Sequence, residues 1–442
     1  MPATPLPTDG VVGKLTSEQE RKLKEFWTEF FKLIDESPTE GSGAKSAAMQ
    51  EASDKPGKDI PKDDAAKERM KAEQEMRDAK LAFIEYGSVR FMDAYWRLIA
   101  MDDPDGIMLR FLRARKWSPS AGVAMLAACV KWRMGSDVEK IFEKGEEGMK
   151  EAEGFIKQME IGKTYTQGTD YFGRPVVYIH VAKHRTFDQS PKALEDFVLF
   201  QMESIRCLFA PPVDKINMVF DMTGFGIRNM DWRCILFIVK CLEAYYPESL
   251  NVMLIHNAPW VFQGIWKVLA PMLDPVVRNK IQMTKSTEDL VQHIPKAHLV
   301  RELGGTSEWK WQYPPIVPGE NAPQQDREGR QATQAARNAL IEEYVEVTRQ
   351  WIKTDDPAVT KKRRMIVDKM RAQYHELDPF IRGRGAYHRN GNIVGNGLVV
   401  FTYPSSSDEK SEGEWEVRGY ETCRESCLLR AKVTEEELKA GV

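Results

Sequence analysis

The chain has 442 residues, with 63 lysines and arginines against 66 aspartates and glutamates, for a formal net charge of −3 at pH 7. That length allows two or three domains, and a charge balance so near neutral argues against a general nucleic-acid binder, which would present a basic surface. Cys129, Cys207, Cys234, Cys241, Cys423 and Cys427 are scattered through mostly apolar runs with no CxxC pair, the usage of reduced cytosolic thiols with no metal or disulfide framework.

The first predicted element is an amphipathic helix from Leu15 to Ile34, capped by Thr16 or Ser17 with Gln19 or Glu20 at the capping-box position. Its stripe of Leu23, Phe26, Trp27, Phe30, Phe31 and Ile34 is flanked by charges of both signs, which favours packing on the main domain over a membrane-binding helix. Between Ser37 and about Lys67 large apolar residues nearly vanish, and the composition is that of a flexible linker. Helical patterning resumes from Met70 to Ala100, rich in aromatic residues near its end.

Asp103 or Asp102 then caps a short helix containing Arg110, Arg113, Arg115 and Lys116. Read alone, four cations in seven positions form a solvated face. After a further helix over Ser118 to Met134, strands over Ile161–Gln167 and Val176–Ala182 bracket Thr169 to Pro175, a turn by composition. A long helix, Pro191 to Phe209, and the strand Ile216 to Asp221 follow, so helices alternate with strands as in a largely parallel sheet.

Gly224 to Asn229 half resembles a dinucleotide loop, but its third glycine position holds Asn229 and the chain has no Walker-type lysine loop, so no nucleotide site is expected. A helix opens at Asp231, and a helical stretch ends over Glu243 to Tyr246, stopped by Pro247. Val252 to Ile255 reads as a strand apolar on both faces. Pro259 then starts a helix carrying Trp260, Val261, Phe262, Ile265, Trp266, Val268 and Leu269, apolar around too much of its circumference for an ordinary surface helix. It requires a second apolar environment besides its own core. No GxSxG elbow or HExxH pair offers catalysis, and His256 at a strand end reads as a satisfied core histidine; no enzymatic role is expected. No apolar run reaches the roughly 18 residues of a membrane span, and no basic-then-apolar leader opens the chain, so peripheral membrane contact from the cytoplasm is expected. Beyond Gly305 come Trp309, Trp311, a Pro-rich exit, helices over Arg327–Ile352 and Thr360–Leu377, a strand-like run at 398–403, an acidic Ser-rich loop and a last short helix.

The blocks Leu109 to Trp117, Lys131 to Arg133, Asp170 to Val176, Tyr245 to Glu248, Asn257 to Trp260, Leu273 to Val276, Lys280-Ile281, Ile294-Pro295 and Leu303 to Gly305 occur in the order and near the spacing of one family. The chain resembles the CRAL-TRIO lipid-transfer proteins, in particular yeast-type phosphatidylinositol transfer proteins. Its first helix and tail are similar to a fungal, Csr-one-like subgroup. The resemblance implies an N-terminal helical subdomain followed by a mixed, largely parallel α/β sheet with flanking helices and a lipid pocket under a lid helix. It divides the chain into an N-terminal helix (1–36), a linker (37–67), the helical subdomain (68–150), the lipid-binding domain (151–312) and a C-terminal extension of two helices and a tail (313–442).

The implied ligand is one phosphatidylinositol, with no other cofactor. The implied act is carriage between membranes, or presentation to lipid kinases, by a monomer touching membrane surfaces transiently. Arg115, with Lys116 beside it, Glu248 and Lys280 match the headgroup positions, and Val277 replaces the family's threonine three residues before the lysine. Ile216 and Met218 stand where founding members hold phosphatidylcholine through hydroxyls. Trp260, Phe262, Ile265, Trp266 and Leu269 belong to the lid, with Trp266 and Phe262 on its membrane side; Val219, Phe220, Val252 and Leu254 form the expected pocket floor. A carrier of a neutral apolar lipid such as a sterol or squalene, or a lipid-gated scaffold whose tail binds a protein, are the alternatives.

Overall fold

The computed structural model describes residues 10–41, 64–405 and 414–440. Most of the expected linker and of the acidic Ser-rich loop lies outside these residues. The chain divides into two compact units: Pro7–Glu139 with Asn338–Arg371 and Ala431–Val442, and Lys140–Arg337 with Ala372–Arg430 and Met1–Leu6.

The first unit is helical. Its α1 (Ser17–Asp35) opens with a capping box that, of the two expected options, uses Thr16 with Gln19, and buries Leu23, Phe26, Trp27, Phe30 and Phe31. Next come α2 (Asp64–Ile99), interrupted at Gly87 by a positive φ of 78°, α3 (Pro104–Ala114) and α4 (Pro119–Gly135). The Trp27 indole donates to Asp105 at 2.8 Å. The same carboxylate receives the Arg363 guanidinium, which also donates to Thr348 Oγ1 at 2.9 Å and to the Tyr344 hydroxyl. An arginine fork matched to a carboxylate, with aromatic rings on its faces, is a strong buried tie. The C-terminal segment 338–371 is therefore integral to this unit's core.

The second unit is α/β. After α5 (Val138–Met149) and α6 (Phe155–Glu160) come β1 (Thr164–Thr169), β2 (Pro175–His180), α7 (Pro191–Arg206), β3 (Ile216–Asp221), α8 (Trp232–Lys240), β4 (Leu250–His256), α9 (Phe262–Leu269), α10 (Pro275–Arg278), β5 (Ile281–Thr284) and α11 (Thr287–Val291). The sheet order is β1-β2-β3-β4-β5, antiparallel between β1 and β2 and parallel thereafter. The β1–β2 turn is built by Asp170, whose Oδ1 accepts the backbone N–H of Phe172 and Arg174 at 2.8 and 2.9 Å.

Side chains alternate across the sheet. Tyr165, Val176, Tyr178, Val219, Val252 and Leu254 point to one face and pack with Leu290, Ile294, Leu299 and Val300 as the core. The extension closes the β1 edge: the Tyr387 and Tyr403 hydroxyls accept the backbone N–H of Thr166 and Thr169 at 2.7 and 3.2 Å. Tyr403 belongs to the hairpin of β6 (Val399–Tyr403) and β7 (Glu414–Arg418). Covering an exposed row of ladder groups in this way removes a template for aggregation.

Candidate functional site

The opposite face of the sheet opens onto a cavity of about 1360 Å³, its mouth included. Its floor is one register line after another: Val177, Met218, Met253 and Ile281 are cross-strand neighbours, and Ile179, Phe220 and Ile255 form the next row. Across from them α7 contributes Leu194, Phe197, Gln201 and Ile205, a helical stripe at intervals of three and four.

Two further helices complete the wall. The lining residues Phe262, Trp266 and Leu269 of α9 recur at the spacing of one helical face, and the first two rings stack with centroids 6.5 Å apart. The α8 helix contributes Cys234, Ile235, Ile238 and Val239 to the lining, yet every one of its side chains retains some exposure. Both helices are thus walls with little core of their own.

The structure corrects part of the expected floor and lid. Val219, Val252 and Leu254 lie on the core face, one residue out of phase with the cavity, while Phe220 and Met218 line it as expected. Ile216 is buried at the start of β3, outside the lining. Phe262 and Trp266 were expected to face the membrane but face inward. The outward apolar surface is instead Trp260, 84% exposed, and Val268, with Met272 and Val276 after them. Ile265 is half-buried and lies outside the lining.

The expected headgroup residues fall in both units. Glu248 and Lys280 are in the α/β unit, with Lys280 Nζ 3.8 Å from Glu248 Oε1. Lys215, which the sequence reading passed over, places its Nζ 3.7 Å from the other oxygen, Oε2. Glu248 has a positive φ of 58°, a strained backbone for a non-glycine residue. Val277 is buried and lines the cavity three residues before Lys280. Arg115 and Lys116 are in the helical unit, where the Arg115 guanidinium pairs with Glu75 and Lys116 adopts a φ of 50° just past α3.

Sequence reasoning also missed a polar chain in the cavity wall. Lys163 Nζ donates to Gln158 Oε1, His184 Nδ1 and Gln189 Oε1 at 3.1, 3.1 and 2.9 Å. With Nδ1 accepting, the imidazole carries its proton on Nε2 and donates to Asp231 at 3.2 Å; Asp231 in turn caps α8 by accepting from Cys234 N–H. Burial pushes the Lys163 ammonium down to about 8, and burial also holds His184 below the usual imidazole range. A lone lysine before a strand gives no sequence signal of this. Asn229, the residue that spoiled the glycine loop, anchors the same region: its amide donates to the carbonyls of Ala182 and His184 at 3.2 and 2.7 Å. His256 is a satisfied core group, 3.1 Å from the Thr284 hydroxyl.

One face of a mixed sheet given to the core and the other to a large apolar cavity under two helices defines an α/β domain with an internal apolar binding chamber. Sequence comparisons say which. Residues 159–305 match the CRAL/TRIO domain and residues 22–128 the CRAL/TRIO N-terminal domain. A CRAL-TRIO domain-containing protein of Schizosaccharomyces pombe is 36% identical over 321 residues, 72% of each chain. Phosphatidylinositol transfer protein CSR1 of Eremothecium gossypii is 31% identical over 428 residues, covering 87% of this chain and 98% of that one. The SEC14 cytosolic factor of Kluyveromyces lactis is 28% identical over 224 residues, 46% of this chain and 71% of its own. The chain belongs to the CRAL-TRIO family.

Proposed function

We propose that this protein binds one phosphatidylinositol in the apolar cavity and carries it between membranes, or presents it to a lipid kinase, without chemical change to the lipid. The cavity itself carries this reading: a chamber between sheet and helices, walled almost entirely by apolar side chains, is suited to acyl chains. A diacyl phospholipid has on the order of 30 methylenes at about 0.8 kcal/mol each, so its unaided escape into water costs on the order of 20 kcal/mol. Replacing bilayer contacts by Met218, Phe220, Met253, Ile255, Phe262 and Trp266 removes much of that barrier. Lys280 and Glu248, beside the cavity-lining Val277, supply a cation for the phosphodiester and an acceptor for inositol hydroxyls. Among the described residues no helix is long and apolar enough to cross a membrane, and peripheral docking through Trp260 and Val268 fits their exposed apolar surface.

A second reading, a neutral lipid such as a sterol or squalene, is favoured by one observation: the polar groups of the wall satisfy one another along the Lys163–His184–Asp231 chain and leave the lining hydrocarbon. Native mass spectrometry of the ligand that the purified full chain takes from mixed-lipid vesicles separates the two. Phosphatidylinositol as the bound mass is the expected result, and sterol or hydrocarbon alone overturns the first reading in favour of the second.

A further inference from the structure

Parallel strands all end at the same edge of a sheet, and here the last residues of β2, β3, β4 and β5 stand in one register line. His180 pairs with Asp221, Asp221 with His256, and His256 with Thr284. The segments that leave β2, β3 and β4 are therefore neighbours, and side chains stitch them together. The Asn229 amide ties the loop after β3 to the carbonyls of Ala182 and His184 in the loop after β2. The Asn257 amide, just past β4, donates to Thr223 Oγ1 at 3.0 Å, and the Phe225 ring packs edge-on against Phe262 with centroids 6.2 Å apart. The glycine-rich run that fails as a nucleotide loop is thus a fixed surface feature beside the helix that closes the chamber.

Each of the three segments holds one large apolar side chain out to solvent: Phe187 at 98% exposure, Ile227 at 74% and Trp260. Single exposed apolar residues are ordinary, but three on adjoining segments of one edge mark a partner surface. Their charges say which partner. Residues 181–189, 222–230 and 257–268 contain Lys183, Arg185, Arg228 and Lys267, all exposed, against a single carboxylate, Asp188, which lies 3.8 Å from Lys157. The acids that flank the middle loop are turned to histidines, Asp221 to His180 and Asp231 to His184. Apolar tips among excess cations match an anionic bilayer: the tips enter the acyl boundary while ammonium and guanidinium stay level with the headgroups. A bilayer also takes separate tips without the socket for each that a folded partner would need.

We propose that the loops 181–189 and 222–230 dock, together with Trp260, onto a membrane surface that carries anionic lipid. Phe187 and Ile227 enter the interface, and Arg185 and Arg228 read its charge. Because Phe225 of the same edge packs on Phe262, docking brings α9 to the bilayer. This rests on the reading of the protein as a carrier that visits membranes, and the lipid that charges the surface is distinct from the lipid carried.

The test uses the full chain and vesicles of phosphatidylcholine alone or mixed with phosphatidylserine, so that a lipid other than the proposed cargo supplies the charge. The unaltered protein should bind the mixed vesicles more tightly. Arg185→Gln with Arg228→Gln should lower that binding roughly 10- to 30-fold and leave binding to phosphatidylcholine unchanged, whereas Arg185→Lys with Arg228→Lys should keep the preference. Phe187→Ser with Ile227→Ser should weaken binding to both compositions by roughly 10-fold or more. None of these residues lines the chamber, so every variant should retain preloaded fluorescent phosphatidylinositol through gel filtration, which also reports an intact fold. Unchanged binding to mixed vesicles by the glutamine and serine variants overturns the role of the loops and leaves docking through Trp260 and Val268 standing. Equal binding of the unaltered protein to the two compositions overturns the anionic preference. Vesicle binding as expected, without phosphatidylinositol retention by the unaltered protein, overturns the cargo reading and leaves the docking edge standing. A dimer in vesicle-free solution that Phe187→Ser with Ile227→Ser dissolves would make the edge an interface between two copies of this chain and overturns the membrane assignment.

Discussion

The two sides of α9 and of the turn that leads into it make opposite predictions for the same perturbation, which allows the assignment to be tested within one short segment. Trp260 and Val268 point outward, and Phe262 and Trp266 point into the cavity. Placing Asp at both outward positions should abolish docking to vesicles while preloaded lipid stays bound. Placing Asp at both inward positions should lose the lipid. A tryptophan buries about 150–250 Å² and Trp260 exposes 84% of its surface, so about 130–210 Å² is available to a bilayer. At about 25 cal/mol per Å² this is about 3–5 kcal/mol if fully inserted, and Val268 adds about 1 kcal/mol. Insertion to half that depth contributes about 2–3 kcal/mol, or roughly 30- to 150-fold in vesicle partitioning. The measurement is vesicle co-sedimentation of each double variant beside retention of a fluorescent phosphatidylinositol through gel filtration. Normal docking by the outward variant refutes the membrane face; normal docking with lost lipid reverses the two faces.

Two further perturbations follow from the site. Val277→Thr should tighten phosphatidylinositol binding by about 1.5 kcal/mol or more in vesicle titration, since a hydroxyl at that cavity position can donate to a charged phosphate, and equal or weaker binding would place the headgroup elsewhere. Lys163 falls to about 8 in the folded protein from 10.5, so between those values the unfolded chain holds a proton the folded one has released, and stability rises with pH by about 3 kcal/mol. Urea unfolding of the unaltered protein and Lys163→Met across pH 7 to 10.5 should show this rise in their difference, and a flat difference would refute it.

The sequence placed the strand Ile216–Asp221 at its observed boundaries and narrowed the first helix's capping box to Thr16 or Ser17, of which the structure uses Thr16, because caps, breaks and periodicity are local signals. Family motifs supplied the chamber and its closing helix. What neither supplied was the phase of the strands and of α9. β4 is apolar on both faces, so Val252 and Leu254 were as eligible for the floor as Met253 and Ile255; only the helices above and below decide. The core face takes Val219 and Val252 against Leu290 and Ile294, whereas the cavity face takes Met218 and Met253. A flexible, unbranched thioether adapts to an irregular partner better than a β-branched side chain does. Methionine alternating with valine along adjacent strands was the available signal. The spacing of Phe262 and Trp266 correctly put both rings on one side of the helix, and nothing in it said which. The α8 helix was read as one opening at Asp231 and too interrupted to span a membrane, though its apolar excess posed the same question as α9.

The inward phase of α9 would, in a lipid carrier, confine loading to membranes. Swinging the helix away in water would expose Phe262, Trp266 and Leu269, each worth about 1.5–3 kcal/mol, for a total of about 4.5–9 kcal/mol. That limits the open form in solution to roughly one molecule in 10³ to 10⁶. At a bilayer the same three side chains pass from cavity wall to acyl chains, two apolar media, and the term nearly vanishes. Trp260, in the turn before α9, and Val268 would meanwhile gain contact, so docking and opening would favour each other. Amide hydrogen exchange of residues 262–269 should therefore be slow in solution and faster with neutral vesicles. Phe262→Ala with Trp266→Ala should speed it in solution alone by removing most of the exposed area. Slow exchange in both media would mean that α9 stays closed on the membrane, and would leave α8, whose side chains all retain exposure, as the wall that moves.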